Sequence, residues 1–140
     1  MRIRKWKTFL GSVPNNKLDW KKFSFTYFER LHTQRDFDKV FKDGLKIESK
    51  AVRILAYTRK DRKDLRRLGL VTPKRVGIAV VRNRTKRRLR EIFRTNKHLL
   101  EPGLDLIFIS KPETALLDYK KLESIILSLL KNAKLCAVAE

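Results

Sequence analysis

The chain has little of what builds disulfide frameworks, zinc sites or membrane spans. Its 140 residues include one cysteine, Cys136, and two histidines, His32 and His98, that lie far apart. One cysteine cannot form an internal disulfide, and a structural zinc site usually needs four ligands, so neither is expected. Apolar runs last only a few residues, whereas a membrane span needs about 20. The positive N-terminus is not followed by the apolar segment of a secretory signal.

Acidic residues are also scarce. Aspartate and glutamate total 15 against 35 lysines and arginines, which gives a net charge of +20. The hydrophobic fraction is 42%, near the ~45–50% of globular proteins, so the charge belongs to a folded domain and not to a disordered tail. This composition predicts a cytoplasmic protein with a polyanionic partner, which is either nucleic acid or an anionic membrane surface.

Motifs for protein-based catalysis are missing as well. No histidine falls in a recognisable nucleophile motif, and neither GxxxxGK[ST] nor GxGxxG occurs. The acids are scattered and form no cluster for two Mg²⁺ ions. Asp105 and Asp118 adjoin the ends of a predicted strand and a predicted helix, and are interpreted as turn or cap residues. The sequence therefore predicts no catalytic residue in this chain.

Hydrophobic periodicity predicts an α+β fold. Helices are predicted at 33–43, 80–100 and 117–134, and strands at 50–58, 68–72, 75–79 and 104–109. Residues 59–67 hold six cations and are interpreted as a solvated loop. Because a helix separates 75–79 from 104–109, these two strands are expected to be parallel, in one sheet with helices mainly on one face.

The first 27 residues are predicted to be a basic extension of one domain. Residues 23–27 alternate aromatic and polar side chains. This pattern fits a short strand, or a mobile arm whose rings stack on bases. An unordered extension is the favoured interpretation, since chain termini are usually loose.

The helix predicted at 80–100 carries the strongest functional signal. At ~100° per residue, its apolar side chains gather within an arc of roughly 120°: Val81, Thr85, Leu89, Ile92 and Phe93. The candidate phosphate-binding residues lie outside that arc, with Asn83, Arg87, Arg90 and Arg94 on the opposite, exposed side and Arg82, Lys86, Arg84 and Arg88 on the two flanks. Like charges one turn apart on a helix repel one another, so a helix that needed only to be solvated would also carry acidic residues. Guanidinium groups match the geometry of phosphate oxygens, which favours a partner that carries phosphates. The alternative is a cationic surface that maintains solubility.

Two phenylalanines on the first helix form a second candidate site. Phe37 and Phe41 are one turn apart and share a face with Val40. Burial of both rings in the core is the favoured interpretation. An aromatic platform for unstacked bases is the alternative.

The stretch RLGLVTPKRVGIAVVRNRTKRRLREIFR (residues 67–94) resembles the signature of the bacterial ribonuclease P protein component. Its hallmark is the Arg-Asn-Arg core at 82–84, followed by Lys86 and Arg87. RLHTQRDFDKVFKDG (30–44) is similar to the family's first helix, and DLIFISKP (105–112) to its last strand and turn. The resemblance covers residues 28–135, which leaves 136–140 as a C-terminal tail.

The resemblance implies a fold and a role. The fold is a small two-layer α/β sandwich, αβββαβα, with a left-handed βαβ crossover, of the ribosomal protein S5 domain 2 type. The role is that of accessory subunit in a ribonucleoprotein endonuclease that removes the 5′ leader of precursor tRNA. The RNA subunit is the catalyst and, with the substrate, binds most of the Mg²⁺, and the protein alone holds no metal. The free protein is expected to be a monomer without a membrane partner.

The resemblance also implies two binding surfaces. The basic helix contacts ribonuclease P RNA, and a cleft with Phe37, Phe41, Lys74 and Arg75 binds the precursor tRNA leader. This chain departs from the family pattern at Ile78, Pro73 and Leu55. At the position of Leu55 the family often has an aromatic residue that lines the cleft. A structural RNA-binding module such as a ribosomal protein is the alternative function. A membrane-surface protein is disfavoured because the apolar face of the basic helix is needed for the core.

Overall fold

A four-stranded mixed sheet organises the computed structural model, which describes residues 25–59 and 65–136. The strands are β1 (Leu45–Glu48), β2 (Val52–Thr58), β3 (Arg67–Val71) and β4 (Leu104–Ser110). The helices are α1 (Gln34–Asp43), α2 (Ala79–Asn96), α3 (Pro112–Leu116) and α4 (Tyr119–Asn132). The strand order is β1-β2-β4-β3, and only the β3–β4 pair is parallel.

The predicted α+β class is confirmed, but the prediction of a strand at 75–79 was wrong. Residues Lys74–Val76 form a 3₁₀ turn, and α2 already begins at Ala79. The extended run is interrupted by this turn, in which the Val76 N–H donates to the Pro73 carbonyl at 3.0 Å and the Gly77 N–H to the Lys74 carbonyl at 3.1 Å. The parallel partner of β4 is therefore β3, which ends before this turn.

Strand β1 was missed because its alternation of apolar and polar residues lasts only four positions, the minimum for a strand pattern. Three of its four residues are exposed, so the strand buries little apolar surface. It is held by antiparallel pairing with β2, in which Ile47 lies opposite Ile54.

Helices pack on both faces of the sheet. Val52, Ile54 and Ala56 of β2 face the larger core cluster, which includes Leu89 of α2 and Ile126 of α4. The other face carries a smaller cluster, in which Val40 of α1 packs with Leu31, Leu55 and Ile107. Because β2 and β4 are covered on both sides, their sequences are almost continuously apolar.

The helix starts differ in how they are capped. The Thr33 hydroxyl accepts the Asp36 N–H of α1 at 3.1 Å, and the Asp118 carboxylate accepts the Lys121 N–H of α4 at 2.8 Å. The cap at Asp118 was predicted. By contrast, α2 starts after Ile78, whose side chain offers no acceptor. Packing of its apolar stripe must therefore stabilise α2 without a side-chain cap.

A buried carboxylate links the strands on the α1 face. Asp105 lies within β4, and its side chain is 3% exposed. It accepts two hydrogen bonds from Arg67 of β3, at 2.9 and 2.8 Å, and pairs with the buried Arg59 that follows β2. Arg67 also pairs with Asp36 of α1 at 3.3 Å. The interpretation of Asp105 as a turn residue, and of Arg59 and Arg67 as solvated, was therefore wrong. No residue of 60–64 is described.

Replacing Asp105 with asparagine should destabilise the protein strongly. Asp105→Asn keeps the shape but removes the buried negative charge that Arg59 and Arg67 share, and removing one partner of a buried ion pair costs about 3–5 kcal/mol. Chemical denaturation would measure this loss. Asp118→Asn is the matched control, because asparagine caps a helix as well as aspartate does and the site is exposed. Equal stabilities of the two variants would contradict the structural role of Asp105.

Candidate nucleic-acid interface

The rotation of α2 divides its side chains as the sequence predicts. Thr85, Leu89, Ile92 and Phe93 are buried. Asn83, Arg84 and Arg87 are exposed, and make no hydrogen bond or ion pair within residues 25–59 and 65–136. These three polar groups are therefore free to bind a ligand.

The other predicted residues of α2 are partly engaged in the fold. Arg82 donates from Nε to the Gly77 carbonyl at 3.0 Å, and Arg88 donates from Nη1 to the Leu117 carbonyl at 2.9 Å. Arg94 donates from Nε to Glu91 at 3.2 Å. The Arg82 and Arg88 guanidinium groups have five N–H donors each, so they can also donate to a second acceptor. Lys86 is half-buried. These hydrogen bonds therefore hold the Arg82, Arg88 and Arg94 side chains in defined orientations.

Arg90 does not lie on the fully exposed side as the helical projection predicts. It is half-buried and lines a groove beside β3. Burial lowers the pKa of Arg90, and the nearby charges of Arg30 and Arg87 lower this pKa further. Three arginines therefore lie within reach of one another, an arrangement that an anion would stabilise.

The groove has a volume of about 180 Å³ and is shared by α1, α2 and β3. Phe37 of α1 lines one part, over Gly69 of β3, and Arg90 of α2 lines another. A Cβ atom on residue 69 would lie 2.7 Å from Cε1 of Phe37. Because glycine has no side chain, the Phe37 ring can pack directly on the backbone of β3 at this position.

The two predicted cleft phenylalanines differ in burial. Phe37 is half-buried and packs on the smaller core cluster, so its ring serves the core and also lines the groove. Phe41 is 40% exposed. Lys74 and Arg75 are both exposed in the 3₁₀ turn that follows β3. Phe37 contacts Gly69 in the middle of β3, whereas Lys74 and Arg75 follow the end of that strand.

An aromatic residue on the α1 face was missed by the sequence interpretation. Leu55, named as the position of a missing aromatic, is buried in the core at 1% exposure. Tyr57 lies two residues later on the same face, is half-buried, and packs, like Phe37, against the smaller cluster. The period of two along β2 could have identified it. The face therefore has an aromatic where the sequence predicted none.

Two structural properties concern metals and membranes. Within the described ranges, no three acidic, histidine or cysteine side chains come together as metal ligands. In the same residues, no helix is both long and apolar enough to cross a membrane. The fold and the site together define a small α+β protein that presents a cationic helix beside an aromatic groove.

Comparison with known proteins assigns this protein to a family. The family model described as Ribonuclease P matches residues 25–134. The ribonuclease P protein component of Thermotoga maritima is 38% identical over 113 residues, covering 78% of this chain and 95% of that protein. That of Alkaliphilus oremlandii is 35% identical over 106 residues, covering 76% and 91%. The chain belongs to the ribonuclease P protein family.

Solved structures agree with this assignment. The Thermotoga maritima RNase P protein superimposes with a TM-score of 0.65 at 32% identity, covering 74% of this chain and 96% of that one. The Staphylococcus aureus RNase P protein gives a TM-score of 0.69 at 26% identity, covering 76% and 96%. The predicted family and fold class are confirmed, and the roles of individual residues stay predictions.

Replacing Gly69 with alanine should displace the Phe37 ring. The added methyl group would lie 2.7–2.8 Å from the ring edge, and overpacking of this kind costs about 1–3 kcal/mol. Denaturant titration of Gly69→Ala checks this. Combining it with Phe37→Leu provides the control, because the shorter side chain makes room and the two losses should not add. Additive losses would show that Phe37 and Gly69 are not in contact.

Proposed function

We propose that this chain is the protein subunit of a ribonucleoprotein ribonuclease P. It binds the catalytic RNA through α2 and the 5′ leader of precursor tRNA through the α1 face of the sheet. It thereby supports Mg²⁺-dependent removal of the leader, which makes the mature 5′ end. Family membership implies a role in tRNA 5′ processing. The RNA contacts of this chain, and the assignment of catalysis to the RNA subunit, are our proposal.

The observation that carries the proposal is the exposed edge of α2. Asn83, Arg84 and Arg87 are exposed and unpaired within the described residues, on a helix whose other side is locked into the core. Guanidinium groups donate to phosphate oxygens in a planar fork, and each neutralised phosphate releases counterions. A fixed helix presents these groups without the entropy cost of ordering a flexible segment.

Leader binding is proposed for the α1 face. Phe41 is exposed on α1, and Phe37 and Tyr57 are half-buried against the smaller core cluster on the same face of the sheet. Aromatic stacking tolerates any base, which suits a leader of variable sequence. The exposed cations Lys74 and Arg75 at the end of β3 would contact leader phosphates. Cation and ring together are what single-stranded RNA requires.

The chemistry is assigned to the RNA subunit. The described residues group no set of side chains that fits a resident metal ion, so we place Mg²⁺ on the RNA and the substrate. When bound there, Mg²⁺ would activate water for hydrolysis of the phosphodiester. The protein's contribution is to hold the two RNAs together and to lower the repulsion between their phosphates.

Precursor tRNA cleavage by a bacterial ribonuclease P RNA tests the proposal. At low Mg²⁺, adding this protein should raise the cleavage rate strongly, because its cations replace part of the screening that Mg²⁺ otherwise provides. The protein alone should cleave nothing. Salt-sensitive RNA binding with no gain in cleavage would contradict the proposal and favour a structural RNA-binding module.

Arginine variants of α2 should weaken binding to the RNA subunit. Arg84→Ala and Arg87→Ala each remove one exposed cation, so the slope of log affinity against log salt should fall by about one. Lys120→Ala, which removes an exposed cation from α4, is the matched control and should change neither quantity. If affinity and salt slope of both arginine variants equal those of wild type, α2 does not contact RNA.

A further inference from the structure

Two exposed aromatic rings lie outside both proposed interfaces. Tyr27 and Phe28 occupy a 3₁₀ turn before α1 and are 67% and 68% exposed. Their ring centroids are 5.6 Å apart at an angle of 88°. The Tyr27 ring also stacks on His32, with centroids 4.0 Å apart. Adjacent exposed rings of this size are typical of binding surfaces.

The turn is anchored to the domain, so the rings are held in place. The Leu31 N–H donates to the Leu68 carbonyl of β3 at 3.0 Å. Glu29 forms an ion pair with the buried Lys97 and accepts the Thr26 N–H. Next to the turn, Phe25 packs edge-on against Phe93 of α2 with centroids 5.6 Å apart. The rings therefore need little ordering on binding.

The surroundings of the turn are cationic. The Arg30 guanidinium lies 4.8 Å from the centre of the Phe25 ring, and Arg30 and Arg90 line the same groove. Glu29 is the one acid among residues 25–35 and is already engaged by Lys97. An apolar protein partner would have to bury these unpaired positive charges, which is costly. A polyanion with aromatic bases satisfies the rings and the charges together.

We infer that Tyr27 and Phe28 form a stacking site for unpaired RNA nucleotides, with Arg30 and Arg90 contacting the adjoining phosphates. The inference rests on the proposed function. The nucleotides come from the precursor tRNA leader or from an unpaired segment of the RNA subunit. Because the groove beside the turn reaches from Arg90 to Phe37, a single strand can extend from the α2 surface toward the α1 face.

The test uses the full-length protein with both rings removed. Tyr27→Ala/Phe28→Ala should weaken either binding to ribonuclease P RNA or binding of the reconstituted holoenzyme to precursor tRNA, by about tenfold. The salt slope should stay unchanged, since no cation is removed. Leu116→Ala removes a side chain that is 79% exposed on α3 and should behave as wild type. Precursor tRNAs with leaders of increasing length show which RNA supplies the nucleotides. If the leader supplies them, the alanine pair weakens precursor tRNA binding only when the leader exceeds a minimum length.

The swap Tyr27→Phe/Phe28→Tyr keeps both rings and should retain wild-type affinity. If this swap loses as much affinity as the alanine pair, or if the alanine pair loses none, the stacking site is overturned. The proposed function still stands in both cases, provided that the wild-type protein stimulates cleavage. Failure of the wild-type protein to stimulate overturns the proposed function, and this inference with it.

Discussion

The register of the sheet depends on one buried carboxylate. Asp105 of β4 lies directly opposite Arg67 of the parallel neighbour β3 and opposite Tyr57 of the antiparallel neighbour β2. Its ion pairs with Arg67 of β3 and with Arg59, which follows β2, therefore link β4 to both neighbouring strands, and Asp36 extends the link to α1. A slip by one residue would place the charge among the apolar side chains of the other face. The chain has few acidic residues, and this carboxylate determines the positions of the Arg59 and Arg67 side chains.

The parallel β3–β4 pair determines the geometry of both proposed RNA surfaces. Parallel strands need a crossover, and here that connection contains the cationic helix α2. Gly69 of β3 supports Phe37 on one side, while Leu68 and Leu70 line the groove shared with Arg90. The same short strand thus sets the distance between the arginine surface and the aromatic face. Two RNAs bound there would be held at a fixed spacing.

Periodicity predicted the elements that bury an apolar stripe. The 3.6-residue period placed Thr85, Leu89 and Phe93 of α2 inward correctly, because packing against the sheet decides that face. It did not reveal β1, an edge strand whose alternating pattern lasts only four residues. Nor could it show the pairing of Asp105 with Arg59, since contacts between distant residues leave no local pattern. Arg90 was placed wrongly because the groove beside β3 forms only in the folded chain.

The turn before α1 also covers part of one edge of the sheet. Arg30 forms a parallel bridge to Leu68, so part of the outer edge of β3 is already paired within the chain. The opposite edge, β1, is only four residues long and carries the charged residues Lys46 and Glu48. Short, charged or covered edges are poor templates for strands of other molecules. The segment that presents Tyr27 and Phe28 therefore also guards this protein against edge-to-edge aggregation when no RNA is bound.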